Sequence, residues 1–318
     1  MDKLLKKLIN AFAVSGREED RANVIKKFLE ERDINYAEDA LGNILVKLGQ
    51  GNEKMMLCTH IDSIGLLATH IEDNGFIRAE KIGNFNPENF AYSSLKLKNG
   101  GRARVGSVEK EEIFADLGVA TKEEVLKKLK EGDSIAFISE LIETNGRVIG
   151  HDLEAAFGCF IFLNLIKEGY ELNRETYFVF SVQHQVGGRG ARSAAFEINP
   201  DYAIVLQGEE AGDHLKGKGN IKLGGGPVLA IMDKDLILHH EVKVLVEEAV
   251  LETKTKLQYS ISKGSSDGGS IHKERGGVKT GVLAFPIRYI NTPSEMVFLK
   301  DVEEITDLLK NILIRGNK

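Results

Sequence analysis

The sequence predicts an α/β protein, a three-layer domain on a mainly parallel central sheet, interrupted by a small, mostly-β, barrel-like insert. Three observations carry this expectation. Near-continuous apolar runs at Thr176–Val182, Tyr202–Leu206 and Thr280–Pro286 alternate with helical patterns, as strands buried on both faces require. From about Leu67 to Gly146 the pattern changes to short strands separated by Gly and Asn turns. The chain of 318 residues is also longer than one core usually fills, roughly 250 to 300 residues. The α/β domain is therefore expected over residues 1–66 and 147–318, with the insert over 67–146.

The elements follow in order. Leu4, Leu5, Leu8, Ile9 and Phe12 recur at helical spacing with lysines between them, giving an amphipathic first helix. Ser15 and Glu18 have capping-box spacing, and Val24, Ile25, Phe28 and Leu29 mark the buried face of a second helix. Strands are expected at Asn35–Glu38, Ile44–Leu48 and Lys54–Thr59, split by the turn residues Gly42-Asn43 and Gly49-Gln50-Gly51. In the insert, Phe76–Lys81, Ser94–Lys98 and Arg102–Val108 read as strands and Lys122–Lys130 as a helix. Beyond it, helices are expected at Ala155–Lys167, Arg189–Glu197, Leu238–Leu251 and Asp301–Ile314.

Composition narrows the function. The chain carries 42 Lys+Arg against 48 Asp+Glu, a formal net charge of -6, which leaves no basic footprint for a nucleic-acid backbone or an acidic membrane. Its 2 cysteines, Cys58 and Cys159, both lie in apolar stretches and read as core thiols of a reducing compartment. No apolar run approaches the roughly 20 residues that cross a bilayer, and the first helix lacks the form of a signal peptide. A cytoplasmic protein is expected.

In an open α/β sheet, ligands bind beyond the carboxyl ends of the strands. Here those ends are polar. Met55–Thr59 runs into His60 and Asp62, Thr176–Val182 into Gln183-His184-Gln185, Tyr202–Leu206 into Gln207, and Val282–Ile290 into Asn291. A His followed two residues later by an acid also suits a metal-bound imidazole oriented by a carboxylate.

These residues sit in a wider resemblance that covers nearly the whole chain. His60-Ile-Asp62-Ser-Ile-Gly65, Leu153-Glu-Ala-Ala-Phe-Gly158, Ser181 to Ala191, the Gly264 to Gly268 loop and Arg288 to Met296 resemble, in order, the motifs of the tetrahedral aminopeptidases, metallopeptidase family forty-two. The resemblance implies an α/β catalytic domain with two metal ions, a β insert used for dimerisation, and trimming of peptides from the N-terminus. Some members carry an endoglucanase label.

Carried over residue by residue, the resemblance keeps His60 as a metal ligand and Asp62 as its supporting acid. The bridging aspartate falls on Glu154. The adjacent general base and metal ligand fall on His184 and Gln185, and the remaining two ligands on Gln207 and Asn291. One of five ligands is unchanged. Metal ligation needs deprotonated basic donors, and neutral amides relieve the repulsion among carboxylates that have lost their cations. The expectation is a degenerate site holding no ion or one divalent cation, zinc, cobalt or manganese, with Asp152 or His151 as reserve donors. Weak or absent peptidase activity follows, with a binding or assembly role. The alternative is an aminopeptidase working with one metal, His184 acting as the base. Expected partners are a peptide or small molecule and copies of the chain, from dimer to dodecamer, or a paralogue.

Two further motifs read as structure. Gly264-Ser-Ser-Asp-Gly268 matches a nucleophile elbow at Ser266, but His272 follows too closely to complete a triad, so a Gly-rich turn is expected. Gly187-Gly188-Arg189-Gly190 reads as a tight strand-to-helix turn, with anion binding at Arg189 a minor reading. Glu209 and Glu210 are expected in a solvated loop near the edge of the site.

Overall fold

A computed structural model describes residues 1–109 and 112–315. Its main sheet is mixed. Four central strands, Glu175–Ser181, Lys54–His60, Tyr202–Glu210 and Lys279–Arg288, run parallel in that spatial order. They are the apolar runs of the sequence, and Met55, Met56, Leu57 and Cys58 are fully buried, as a strand covered on both faces requires. Antiparallel strands flank them: Ile44–Leu48 on one side, and Val228–Met232 and Glu295–Phe298 on the other.

Helix Leu153–Lys167 crosses one face and is apolar nearly all round, so eleven of its residues are buried, nine of them in the largest core cluster. It approaches the Lys54–His60 strand closely at Gly158, where a Cβ would collide with Thr59 Oγ1. Helix Arg189–Ile198 packs on the opposite face through Ala191, Ala194, Ala195 and Ile198.

The segment from Gly65 to Ile138 forms a closed six-stranded antiparallel barrel, with strand order Gly65–Ile71, Phe76–Ile82, Glu112–Asp116, Arg102–Glu109, Ser94–Leu97 and Ser134–Ile138. It has its own core of Leu66, Ile77, Leu95, Ile113, Ile135 and Phe137, and closure leaves no free strand edge. The insert helix is shorter than its periodicity suggests, Lys122–Leu126, and runs out in a turn in which Lys128 N and Leu129 N both donate to Val125 O. No helix among the described residues is long and apolar enough to cross a membrane.

The Ser15–Glu18 capping box does not form. The second helix begins at Glu19, and Glu18 gives no side-chain cap. Its Oε1 instead accepts from Gly16 N at 2.7 Å and from Gln183 N at 3.1 Å, so a nearby strand end outcompetes the local cap. Burial pushes the Glu18 carboxyl up to about 7.

Candidate functional site

Parallel strands that start level also end level, and this brings the polar strand ends together. Ser181 pairs with His60, and the register Val205 to Cys58 sets Gln207 level with His60 on the neighbouring strand. His60 is 3% exposed. Its Nδ1 lies 2.9 Å from the backbone oxygen of Asp62, whereas the Asp62 carboxylate is 3.7 Å away. That carboxylate instead accepts from His184 N and Gln185 N, each at 2.9 Å. Together with Glu18, Asp62 therefore holds three successive amides of the loop that presents His184. Gln183 takes a positive φ of 57° in this loop.

His184 lies flat on His60, with ring centroids 4.2 Å apart and planes inclined by 16°. Its Nδ1 is 2.7 Å from Oδ1 of Asp267, a fully buried carboxylate that also accepts from Ser181 Oγ at 2.8 Å. Burial alone would lower the His184 pKa, but Asp267, Asp62 and Glu154 together push it up to about 9. Burial likewise opposes the Asp267 anion, and His184 overrides it, holding Asp267 below the usual carboxylate range. Gly188 makes this contact possible, because a Cβ there would sit 3.0 Å from Asp267 Oδ1 and 2.8 Å from Ser270 Oγ.

Glu154 enters from the first turn of the Leu153–Lys167 helix. Its Oε1 accepts from Gly208 N at 2.9 Å and lies 3.8 Å from His60 Nε2. Burial raises its pKa, but His60, His184 and the Gly208 amide bring it below the ordinary value. Burial and His184 pull the His60 imidazole down, while Glu154 and Asp62 raise it on balance. His60 Nε2 and Gln207 Oε1 are both buried without a hydrogen-bond partner among the described residues.

The remaining expected positions fall around this centre. Gln185 sits under the barrel, close enough to Gly83 that a Cβ there would be 2.8 Å from Gln185 Oε1. Asn291 takes a positive φ of 56°, and its amide donates to Glu295 Oε1 at 2.9 Å. Asp152 is drawn away from the cluster by an ion pair with the fully buried Arg21. His151 faces the carbonyl of Thr292 at 3.3 Å and packs edge-on against Phe90 and Phe137. A cavity of about 30 Å³, large enough for a water molecule, touches both His151 and Asp152.

Ser266 is buried with its hydroxyl on Asp233, and His272 Nδ1 faces Gly268 O at 3.0 Å, so the Gly264–Gly268 segment serves as a turn. Arg189 is exposed at the start of its helix. Glu209 is not a solvated loop residue. It lies within the Tyr202–Glu210 strand, is 9% exposed, and burial pushes its carboxyl up to about 7.

Three residues that contribute to the site were not assigned from sequence: Asp267, Glu18 and Glu295. Asp267 lies inside the Gly264–Gly268 turn, next to Ser266. Glu295 accepts both Leu153 N, at 2.7 Å, and Asn291 N, pinning the Glu154 helix to the Asn291 loop.

A three-layer α/β domain with polar strand ends over a mixed sheet and a barrel insert defines the class, a metallopeptidase-type fold. The family model described as M42 glutamyl aminopeptidase matches residues 42–308, and the chain belongs to that family. It is 35% identical to a candidate aminopeptidase of Acetivibrio thermocellus, over 96% of each chain. It is 27% identical to the lysyl aminopeptidase of Pyrococcus furiosus, over 98% of this chain and 96% of that one. Among solved structures, an aminopeptidase from the archaeon Desulfurococcus kamchatkensis superposes with a TM-score of 0.92 at 29% identity, covering 98% of this chain and 93% of that one.

Proposed function

We propose that this family member has a reduced metal centre, with weak or absent peptidase activity, and acts by binding a peptide or small molecule and by assembling with copies of itself. The observation that carries this reading is the donor set, neutral Gln185, Gln207 and Asn291 at three of the five ligand positions, and the stack of His60 on His184 keeps the second imidazole from replacing them at one ion. An imidazole binds a metal through a lone pair in its own ring plane, at about 2.0–2.1 Å. Planes inclined by only 16° at 4.2 Å send those lone pairs along nearly parallel lines, not to one point. Among the described residues no group of three or more His, Cys, Asp or Glu side chains is placed to hold an ion. Gln185, Gln207 and Asn291 offer weak neutral donors where the family has charged or basic ones. The residues present thus do not fit the two-metal centre that the family implies.

A second reading, a hydrolase with one metal or a rearranged site, is favoured by the His184–Asp267 hydrogen bond, since a buried carboxylate behind an imidazole orients a general base. His184 held up to about 9 is a cation at neutral pH, however, and so has a proton to give rather than a lone pair to accept one. That favours the first reading.

A related Pyrococcus horikoshii TET peptidase, 27% identical, is described as assembling into a tetrahedron or a large octahedral shell. For this chain we extend that to a homo-oligomer, from dimer to dodecamer, with residues 67–146 as the dimerisation-type domain. Hydrolysis of a panel of aminoacyl reporter substrates, with and without cobalt, zinc or manganese, tests the functional reading. The expected result is no turnover above that of His60→Ala. Metal-stimulated turnover abolished by both His60→Ala and Glu154→Ala would establish the second reading instead.

A further inference from the structure

We propose that an open edge of the main sheet, strand Gln258–Ile261, docks on the same strand of a second copy of the chain, the two running antiparallel about a two-fold axis at Ser260. This contact rests on the homo-oligomer reading and lies outside the barrel insert. The strand pairs with Val228–Met232 alone among the described residues. Gln258 N donates to Pro227 O and Ser262 N to Met232 O, each at 2.9 Å, so the even-numbered residues turn their backbone groups inward. Alternation along the strand then turns the N–H and C=O of Tyr259 and Ile261 outward, where no strand meets them among the described residues. The sheet's other two ends are blunted. Ala37–Glu38 and Ile142–Thr144 are shorter and each carries a glutamate, whereas Leu257 to Ser262 holds no charge and no proline.

The occupant follows from symmetry. Centred on Ser260, antiparallel pairing sets Tyr259 of each copy opposite Ile261 of the other, and each such pair exchanges both of its outward N–H···O bonds. A one-residue shift would oppose outward groups to inward ones and forfeit the ladder. The side chains fit as well. Tyr259 is 43% and Ile261 66% exposed, and an aromatic residue across from a β-branched one is a favourable cross-strand pair. The Tyr259 ring is held in place by its hydroxyl, which donates to Glu247 Oε1 at 2.6 Å. Glu247 lies on helix His240–Thr253, and Val244 and Leu251, one turn to either side of it on the same helix face, are exposed too. The apolar strip thus continues from strand to helix. Its acids are matched within the chain, Glu247 by Tyr259 and Lys243, and Glu248 and Glu252 by Arg315, so a second copy brings no unpaired anion against it. Lys263 falls opposite Leu257 in this register, not opposite another lysine.

Sedimentation velocity of the full chain tests this, with Ile261→Pro as the variant. The Ile261 N–H points outward, so proline there removes a donor to the second copy without touching the pairing to Val228–Met232. The expected result is an assembly at least about twofold smaller in mass than the wild type, and Ile261→Lys should do the same by placing a charge on the edge. Should either fold poorly, Ser260→Cys serves in its place. On the axis, the two Cα atoms of a non-hydrogen-bonded pair are about 4.5 Å apart, within the span of a disulfide, so mild oxidation should give a covalent dimer on a non-reducing gel. Cys58 and Cys159 are buried and do not compete. An oligomer whose mass ignores both substitutions at Ile261, or a Ser260→Cys protein that stays unlinked, overturns the edge contact and leaves the homo-oligomer reading standing. A wild type that sediments as a monomer overturns both.

Discussion

Replacing Asp267 by Asn keeps an oxygen for His184 Nδ1 but removes the buried charge that holds the ring as a cation. In the wild type, His184 rises from 6.5 to about 9 on folding, which corresponds to on the order of 3 kcal/mol. The lowered Asp267 pKa expresses the same attraction and is not added to it. Because the folded pKa is the higher one, this stabilisation is complete below the unfolded value of 6.5 and is lost as pH rises through about 9. In the Asn variant burial dominates, and His184 should titrate below its ordinary value. NMR titration of the His184 ring gives the pKa directly. Urea unfolding near pH 6 and near pH 10 gives the linkage. The stability gap between wild type and variant should be about 3 kcal/mol larger at the lower pH. A gap of equal size at both pH values, or a wild-type His184 that titrates at its ordinary value, would show that Asp267 does not hold the ring as a cation.

Arg21→Met should cost about 3–5 kcal/mol in urea unfolding, because it strands Asp152 and removes the donors to Leu8 O and Ile61 O; adding Asp152→Asn should recover part of the loss. Gly158→Ala should destabilise by about 1–3 kcal/mol through its collision with Thr59 Oγ1, and Thr59→Ala should rescue it in a double-mutant cycle. Glu295→Ala leaves the Leu153 and Asn291 amides without their acceptor, and should lower stability by about 2–4 kcal/mol as read by thermal or urea unfolding.

The parallel core was legible because strands buried on both faces must be apolar throughout, and the runs ending in His60, Gln183, Gln207 and Asn291 are just that. Their polar ends were legible for the same reason, since a polar residue stops a buried run. The partners of those ends were not. His184 and Asp267 are 83 residues apart in the chain, and no periodicity links a loop aspartate to an imidazole on another strand end. Glu18 looked like a helix cap because local spacing cannot report that the Gln183 amide, 165 residues away, lies within reach. Glu209 looked like a loop residue because a Glu-Glu pair is usually solvated, and its strand is visible only through pairing with Pro286. Asp62 could be read as a partner of His60, but its carboxylate proves to organise the His184 loop while its carbonyl meets the ring.

The most direct test of the reduced centre is metal stoichiometry in solution. Purified protein equilibrated with excess zinc or cobalt, then freed of loosely held ions, is analysed for bound metal per chain. At most one ion is expected, unchanged in Asn291→Ala and Gln207→Ala. Two tightly bound ions per chain, lost on His60→Ala, would contradict it.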